Sequence, residues 1–147
     1  MTDTYVLELV AAYPEITEVW LIGSRAQRTA RNDSDWDYLV FGNRRVLRSL
    51  RQRTQFNART VDLLVVYDGN QFSKPWRDDT RTKAGSLNDW NWQRISDERA
   101  TYRATKFRED SDFYMDVSTA QAYRVWSAPV TETAFRRADS DTPTLLQ

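Results

Sequence analysis

Apolar and polar residues alternate along this chain in two rhythms, and in the first half their order predicts helices and strands taking turns. From Thr4 to Ala12, Val6, Leu7, Val10 and Ala11 recur at helical spacing, with Thr2, Asp3 or Thr4 as the N-cap and Pro14 as the stop. Val19 to Ile22 is a short β-branched and aromatic run that halts at Gly23, the pattern of a buried strand. Ser24 to Ala30 reads as a short helix capped by Ser24, and Arg31 to Ser34 as a polar turn. Asp35 to Phe41 is a second strand, closed by Gly42-Asn43. Arg44 to Arg53 places Val46, Leu47 and Leu50 on one face of an otherwise basic helix. Thr60 to Val66 is a third strand, ended by Asp68-Gly69-Asn70. This alternation predicts an α/β chain of mixed α+β build, a mixed β-sheet with flanking helices.

The second half carries weaker rhythms. Gln71 to Ser86 is polar and reads as irregular, while Trp90 to Ile95 and Thr101 to Phe107 alternate like two strands of a hairpin. Asp112 to Val117 reads as a further strand, with Ser118 capping a short helix from Thr119 to Trp126. Beyond Pro129 the apolar periodicity stops. The expected organisation is one domain over residues 1–129 and a loose tail over 130–147.

Composition narrows the chemistry sharply. The 147 residues include no cysteine and no histidine, which removes thiolate nucleophiles, disulfides, the commonest general base and the usual zinc ligands. Carboxylates, hydroxyls and cationic side chains remain, and such oxygen ligands suit Mg²⁺ or Mn²⁺. Net charge is zero, so no general footprint for nucleic acid is visible, and the excess of 18 Arg over 3 Lys carries little weight. No run reaches the ~18 apolar residues of a membrane span and no signal-like N-terminus is present, so the expectation is a cytoplasmic protein with no membrane partner.

Asp35 and Asp37 stand two residues apart on a predicted strand and so point to one face. Paired carboxylates repel, and burying them costs several kcal/mol unless a cation compensates. A divalent metal, or two metals ~4 Å apart, accounts for such a pair. Asp62 interrupts an apolar strand, Val61 to Val66, and is the natural third ligand if its strand neighbours the second; pairing with Arg59 or another arginine is the simpler alternative. Gly23-Ser24 ends a strand and opens a helix, leaving free backbone N–H groups, a positive dipole end and a hydroxyl, a turn that can cradle phosphates.

Taken together, Gly23-Ser24-Arg25-Ala26, the ten residues from Arg25 to Ser34, and Asp35-Trp36-Asp37-Tyr38 resemble the nucleotidyltransferase superfamily related to DNA polymerase beta. The resemblance covers about residues 18–66 and departs from the family only in the aromatic Trp36 and Tyr38, where aliphatics are usual. It implies that Gly23 and Ser24 bind the triphosphate of a nucleoside triphosphate and that Asp35 and Asp37 hold both metals. Asp62 is then the third ligand and helps deprotonate an acceptor hydroxyl. It further implies a minimal enzyme that transfers a nucleoside monophosphate, AMP favoured from ATP, and releases pyrophosphate. Chain length favours a partner protein as acceptor; small-molecule and nucleic-acid acceptors stay open. The rival readings are a catalytically inactive module of the same fold and an α/β interaction protein whose acids are coincidental.

Other residues read more plainly. Arg25, Arg28 and Arg31 suit a solvated or acid-pairing face. Trp90 and Trp92 suit a core face better than a base-stacking platform, and Lys106 draws interest because lysines are few.

Overall fold

The periodicity of the first half is realised almost residue for residue. The chain runs α1 (Thr4–Ala12), β1 (Glu18–Ile22), α2 (Gly23–Gln27), β2 (Trp36–Phe41), α3 (Arg44–Gln52), a single 3-10 turn (Thr54–Phe56), β3 (Val61–Tyr67), β4 (Gln71–Ser73), β5 (Ala84–Ser86), β6 (Gln93–Arg94), β7 (Arg99–Arg108) and β8 (Ser111–Ser127). The structure, a computed structural model, describes residues 4–76, 84–108 and 111–129, with backbone alone at 106–108 and 111–115. The eight strands form one sheet in the order β5-β4-β3-β2-β1-β8-β7-β6. Only β2 and β3 pair in parallel, joined by the α3 crossover that parallel pairing demands; every other pair is antiparallel. The class is the mixed α+β sheet with flanking helices expected from the sequence.

Alternation along the strands divides the interior in two. One face carries Val19, Tyr38, Val40, Leu63 and Val65, and it is covered by Val6 and Leu9 of α1 and by Val46, Leu47 and Leu50 of α3. Asn43 starts α3 by accepting a hydrogen bond from the Val46 N–H at 2.9 Å, so the predicted apolar stripe enters the core already in register. Among the described residues no helix contributes to the core on the other face. There the sheet curls upon itself, and Trp20, Leu39, Leu64 and Val66 meet Phe72, Leu87, Tyr102, Ala120 and Ala122 across the hollow. Burying a side chain of this size contributes about 1.5–3 kcal/mol, so both faces matter to stability.

Several expected elements differ. The helix expected over Ser24–Ala30 is one residue earlier and only five residues long, with Ser24 inside it and no side-chain cap at its start. It stops because Gln27 turns toward β8, donating to the Gln121 carbonyl at 2.6 Å and accepting from the Gln121 N–H at 2.9 Å. Arg28 then takes a left-handed conformation (φ 61°) that ends the helix. The second strand starts at Trp36, leaving Asp35 just outside the ladder. Gln71–Ser86, read as irregular, contains β4 and β5, paired Gln71 to Ser86 and Phe72 to Gly85.

Trp90 and Asn91 form a turn and only Gln93–Arg94 pairs as a strand; both tryptophans do pack on the core, with Trp92 edge-on to Trp20 at 5.2 Å. The helix expected over Thr119–Trp126 is absent, because those residues continue β8, filling the edge of β1 and pairing with β7. Ala120 and Ala122 are buried at strand spacing there, small enough to leave the hollow to Trp20 and Tyr102. The expected tail, 130–147, the capping residues Thr2 and Asp3, and the side chain of Lys106 lie outside the described residues. Among the described residues no helix is long and apolar enough to cross a membrane.

An ionic clasp ties the distant ends of the chain together. The Glu18 carboxylate of β1 accepts from Arg94 of β6 (2.9 Å to Oε2), from the Trp20 indole (3.0 Å) and from Arg124 of β8 (3.4 Å). Burial pushes this carboxyl up, but the hydrogen bonds from Arg94 and Trp20 and the charges of Arg94 and Arg124 outweigh it, leaving it below its ordinary value of 4.5. A depressed folded value means stability that is present above pH 4.5 and lost as pH falls through that folded value. Glu18→Gln is therefore expected to lower the melting temperature at pH 7 and to approach wild type as the pH is taken down through the folded value, as scanning calorimetry over an acid pH series would show.

Candidate active site

The site is built where β1 leaves the sheet and β2 and β3 enter it. Register places Ile22 opposite Asp37 and Asp37 opposite Asp62, so a single row across three strands ends in two adjacent carboxylates on the curled face. The parallel pairing of β2 with β3 makes Asp37 and Asp62 direct neighbours, as the sequence required only conditionally. Gly23 abuts Asp37 so closely that a Cβ added to it would lie 2.0 Å from Asp37 Oδ2, and its φ is +72°. Glycine at this turn is therefore demanded twice, by the backbone conformation and by the carboxylate resting against it.

These groups line a cavity of about 680 Å³ together with Phe72, Trp90 and Tyr102. The volume is in the range that takes a small organic ligand. Ser24 does not line it. Asp35 is exposed and faces a second, smaller cavity of about 280 Å³ that it shares with Asp62, Arg59 and Lys74. Among the described residues no three acidic side chains are grouped closely enough to hold a metal between them. The structure thus brings Asp37, Asp62 and Gly23 together, and sets Asp35 and Ser24 at the margin.

Two residues absent from the sequence-based candidates belong to the site. Tyr102 of β7 accepts a hydrogen bond from the Gly23 N–H at 2.9 Å, spanning 79 positions of the chain. Burial and, less strongly, the Asp37 charge push its phenol up, against the contrary pull of the Gly23 N–H and Gln27, so the hydroxyl stays protonated at neutral pH. Lys74 places its ammonium 3.0 Å from Asp62 Oδ1, an oxygen that is buried and accepts no hydrogen bond. Nothing local in sequence signals either contact; both come from strands that the curl returns to the site.

Arg25, expected on a solvated or acid-pairing face, is instead half-buried and serves the backbone. Its guanidinium donates to the Ser34 carbonyl at 2.9 Å and lies 4.5 Å from the Trp36 ring, pinning the loop that leads into β2. Tyr102→Phe would leave the Gly23 N–H without its acceptor. We expect a stability loss of about 1–2 kcal/mol in urea unfolding, the ordinary cost of a buried donor left unpaired.

The mixed sheet thus sets two carboxylates, both hard oxygen donors, beside a strict glycine turn. The family model described as "Polymerase beta, Nucleotidyltransferase" matches residues 6–68, the segment from α1 to the turn after β3. Over that segment the chain is similar to the polymerase beta-like nucleotidyltransferases. Neither the curated proteins nor the solved structures gave a match to the chain.

Proposed function

We propose that this protein is a divalent-metal-dependent nucleotidyltransferase that moves a nucleoside monophosphate, AMP from ATP in preference, onto an acceptor hydroxyl and releases pyrophosphate. The observation that carries this reading is the in-register pair Asp37 and Asp62 beside Gly23, at the mouth of a cavity large enough for a nucleotide. The residues fit Mg²⁺ or Mn²⁺. Asp62 Oδ1 is a buried oxygen with no hydrogen bond, Asp37 Oδ2 occupies the space a side chain at position 23 would fill, and all donors are hard oxygens. Asp37 and Asp62 would hold the metal, joined by Asp35, whose exposed position ahead of β2 leaves its side chain free to turn toward them. When bound, such a cation supplies charge neutralisation of the phosphates and acidifies a coordinated hydroxyl.

The chain's own residues do the rest by positioning. Gly23 lets the triphosphate approach the turn closely, Tyr102 holds the turn in shape through the Gly23 N–H, and Ser24, at the margin of the cavity, would have to turn inward to add its hydroxyl. Asp62 takes the proton of the acceptor hydroxyl as its oxygen bonds to the α-phosphorus. The bond from that phosphorus to the bridging oxygen of the β-phosphate breaks, and pyrophosphate leaves. The packed rings of Phe72, Trp90 and Tyr102, which also line the cavity, give it an apolar surface that helps to exclude water. A partner protein is the proposed acceptor, on the absence of net positive charge.

The test is incubation of the protein with labelled ATP, then the other nucleoside triphosphates, and Mg²⁺, alone and with cell lysate. Label is expected on a protein band and to depend on the metal. Tight metal-dependent nucleotide binding with no transfer to protein, RNA or small molecule would instead favour an inactive binding module.

A further inference from the structure

We propose that Lys74 is a built-in counter-cation for Asp62, which a divalent metal has to displace, so that Lys74 sets how tightly the acid pair takes up metal. The proposal rests on the metal-dependent reading above. Lys74 follows β4 directly, and the pairing of Ser73 with Val65 of β3 brings this corner to within a few residues of Asp62. On the other side Trp76 is fixed to the end of α3, its indole donating to the Leu50 carbonyl at 2.7 Å. Held between these two anchors, the lysine is far from a loose surface cation. Its side chain is 16% exposed and that of Asp62 22%, so the pair is largely withdrawn from water.

The contact itself is informative. Nζ lies 3.0 Å from Asp62 Oδ1, yet that oxygen accepts no hydrogen bond, so the lysine supplies charge without satisfying the oxygen's lone pairs. An oxygen neutralised but not hydrogen-bonded is open to exchange of one cation for another. Asp37 stands in register beside it, so the two carboxylates need a compensating charge while no metal is present. Lysine fills that need as a flexible point charge on a four-carbon stem, which can withdraw; an arginine fork would bind the carboxylate through two hydrogen bonds and release it less readily. The chain has 18 arginines and three lysines, and a lysine stands here.

The measurement is Mn²⁺ binding by electron paramagnetic resonance of the free ion, which needs neither nucleotide nor turnover. Lys74→Met is expected to bind Mn²⁺ roughly five- to tenfold more tightly than wild type, the order expected for removing a competing, mostly buried ion pair. Lys74→Arg should bind equally or less tightly. Without metal, Lys74→Met should melt below wild type, and saturating Mn²⁺ should raise its melting temperature by more than it raises that of wild type. Lys74→Gln repeats the measurement if the methionine variant does not fold by circular dichroism. Unchanged or weaker binding in a folded neutral variant overturns the counter-cation role while leaving the metal site standing. Failure of wild type and all variants to bind Mn²⁺ at millimolar concentration overturns both this role and the metal-dependent reading.

Discussion

Gly23→Ala is expected to lower the melting temperature by about 5–15 °C and to abolish nucleotidyl transfer. Two costs add at this position. A left-handed φ of +72° costs an alanine about 1–2 kcal/mol relative to glycine. The new Cβ would also lie 2.0 Å from Asp37 Oδ2 and 2.9 Å from its Cγ, so β2 or the turn has to move, at about 1–3 kcal/mol more. The double variant Gly23→Ala/Asp37→Ala separates the two. It removes the colliding carboxylate but keeps the backbone strain and a Cβ 3.1 Å away, so it should recover part of the lost melting temperature and none of the activity. A double variant no more stable than Gly23→Ala would mean that the collision is relieved by other means and that the close approach of turn and carboxylate is unimportant.

How much of this was legible in the sequence depends on where the partner of each residue lies. α1 and α3 were readable because each buries one face at the helical period, as Val46, Leu47 and Leu50 do, and β1 to β3 because they are short continuous apolar runs buried on both faces. Asp37 and Asp62 were recognisable because a carboxylate inside an apolar strand needs a reason that can be stated from sequence alone. Their adjacency was not readable; it depends on the parallel pairing of β2 and β3, which is a property of topology. β8 was misread for a related reason. Thr119–Trp126 has local preferences compatible with a helix, and only the vacant edge of β1 and the long β7 ladder make it a strand. The buried positions Ala120 and Ala122 alternate correctly, but alanine is too small and too tolerant of either period to decide between them. Tyr102 and Lys74 show the same limit at the site itself. Both arrive from the returning strands, and their contacts with Gly23 and Asp62 leave no mark near either motif.

The conservative changes Asp37→Asn and Asp62→Asn should each reduce transfer by about 10³-fold or more, since each removes one unit of the negative charge that holds the metal at the reacting phosphate. The two are distinguished by stability. Asp37 stands in register with Asp62, so neutralising it relieves a repulsion, and Asp37→Asn should melt within about 2 °C of wild type or slightly above it. Asp62 also pairs with Lys74, whose side chain is only 16% exposed, so Asp62→Asn removes a largely buried ion pair and should melt lower than Asp37→Asn. Asp35→Asn should impair transfer as well, with no change in melting, because Asp35 is exposed and lies outside the β2 ladder. A site kept for folding would show the reverse correlation, with the variant that loses most activity also losing most stability. Normal labelling of an acceptor by the Asp37→Asn protein would remove the metal assignment altogether. Loss of transfer at unchanged melting temperature is the outcome that identifies two repelling carboxylates, held in register beside a glycine, as a site maintained for chemistry.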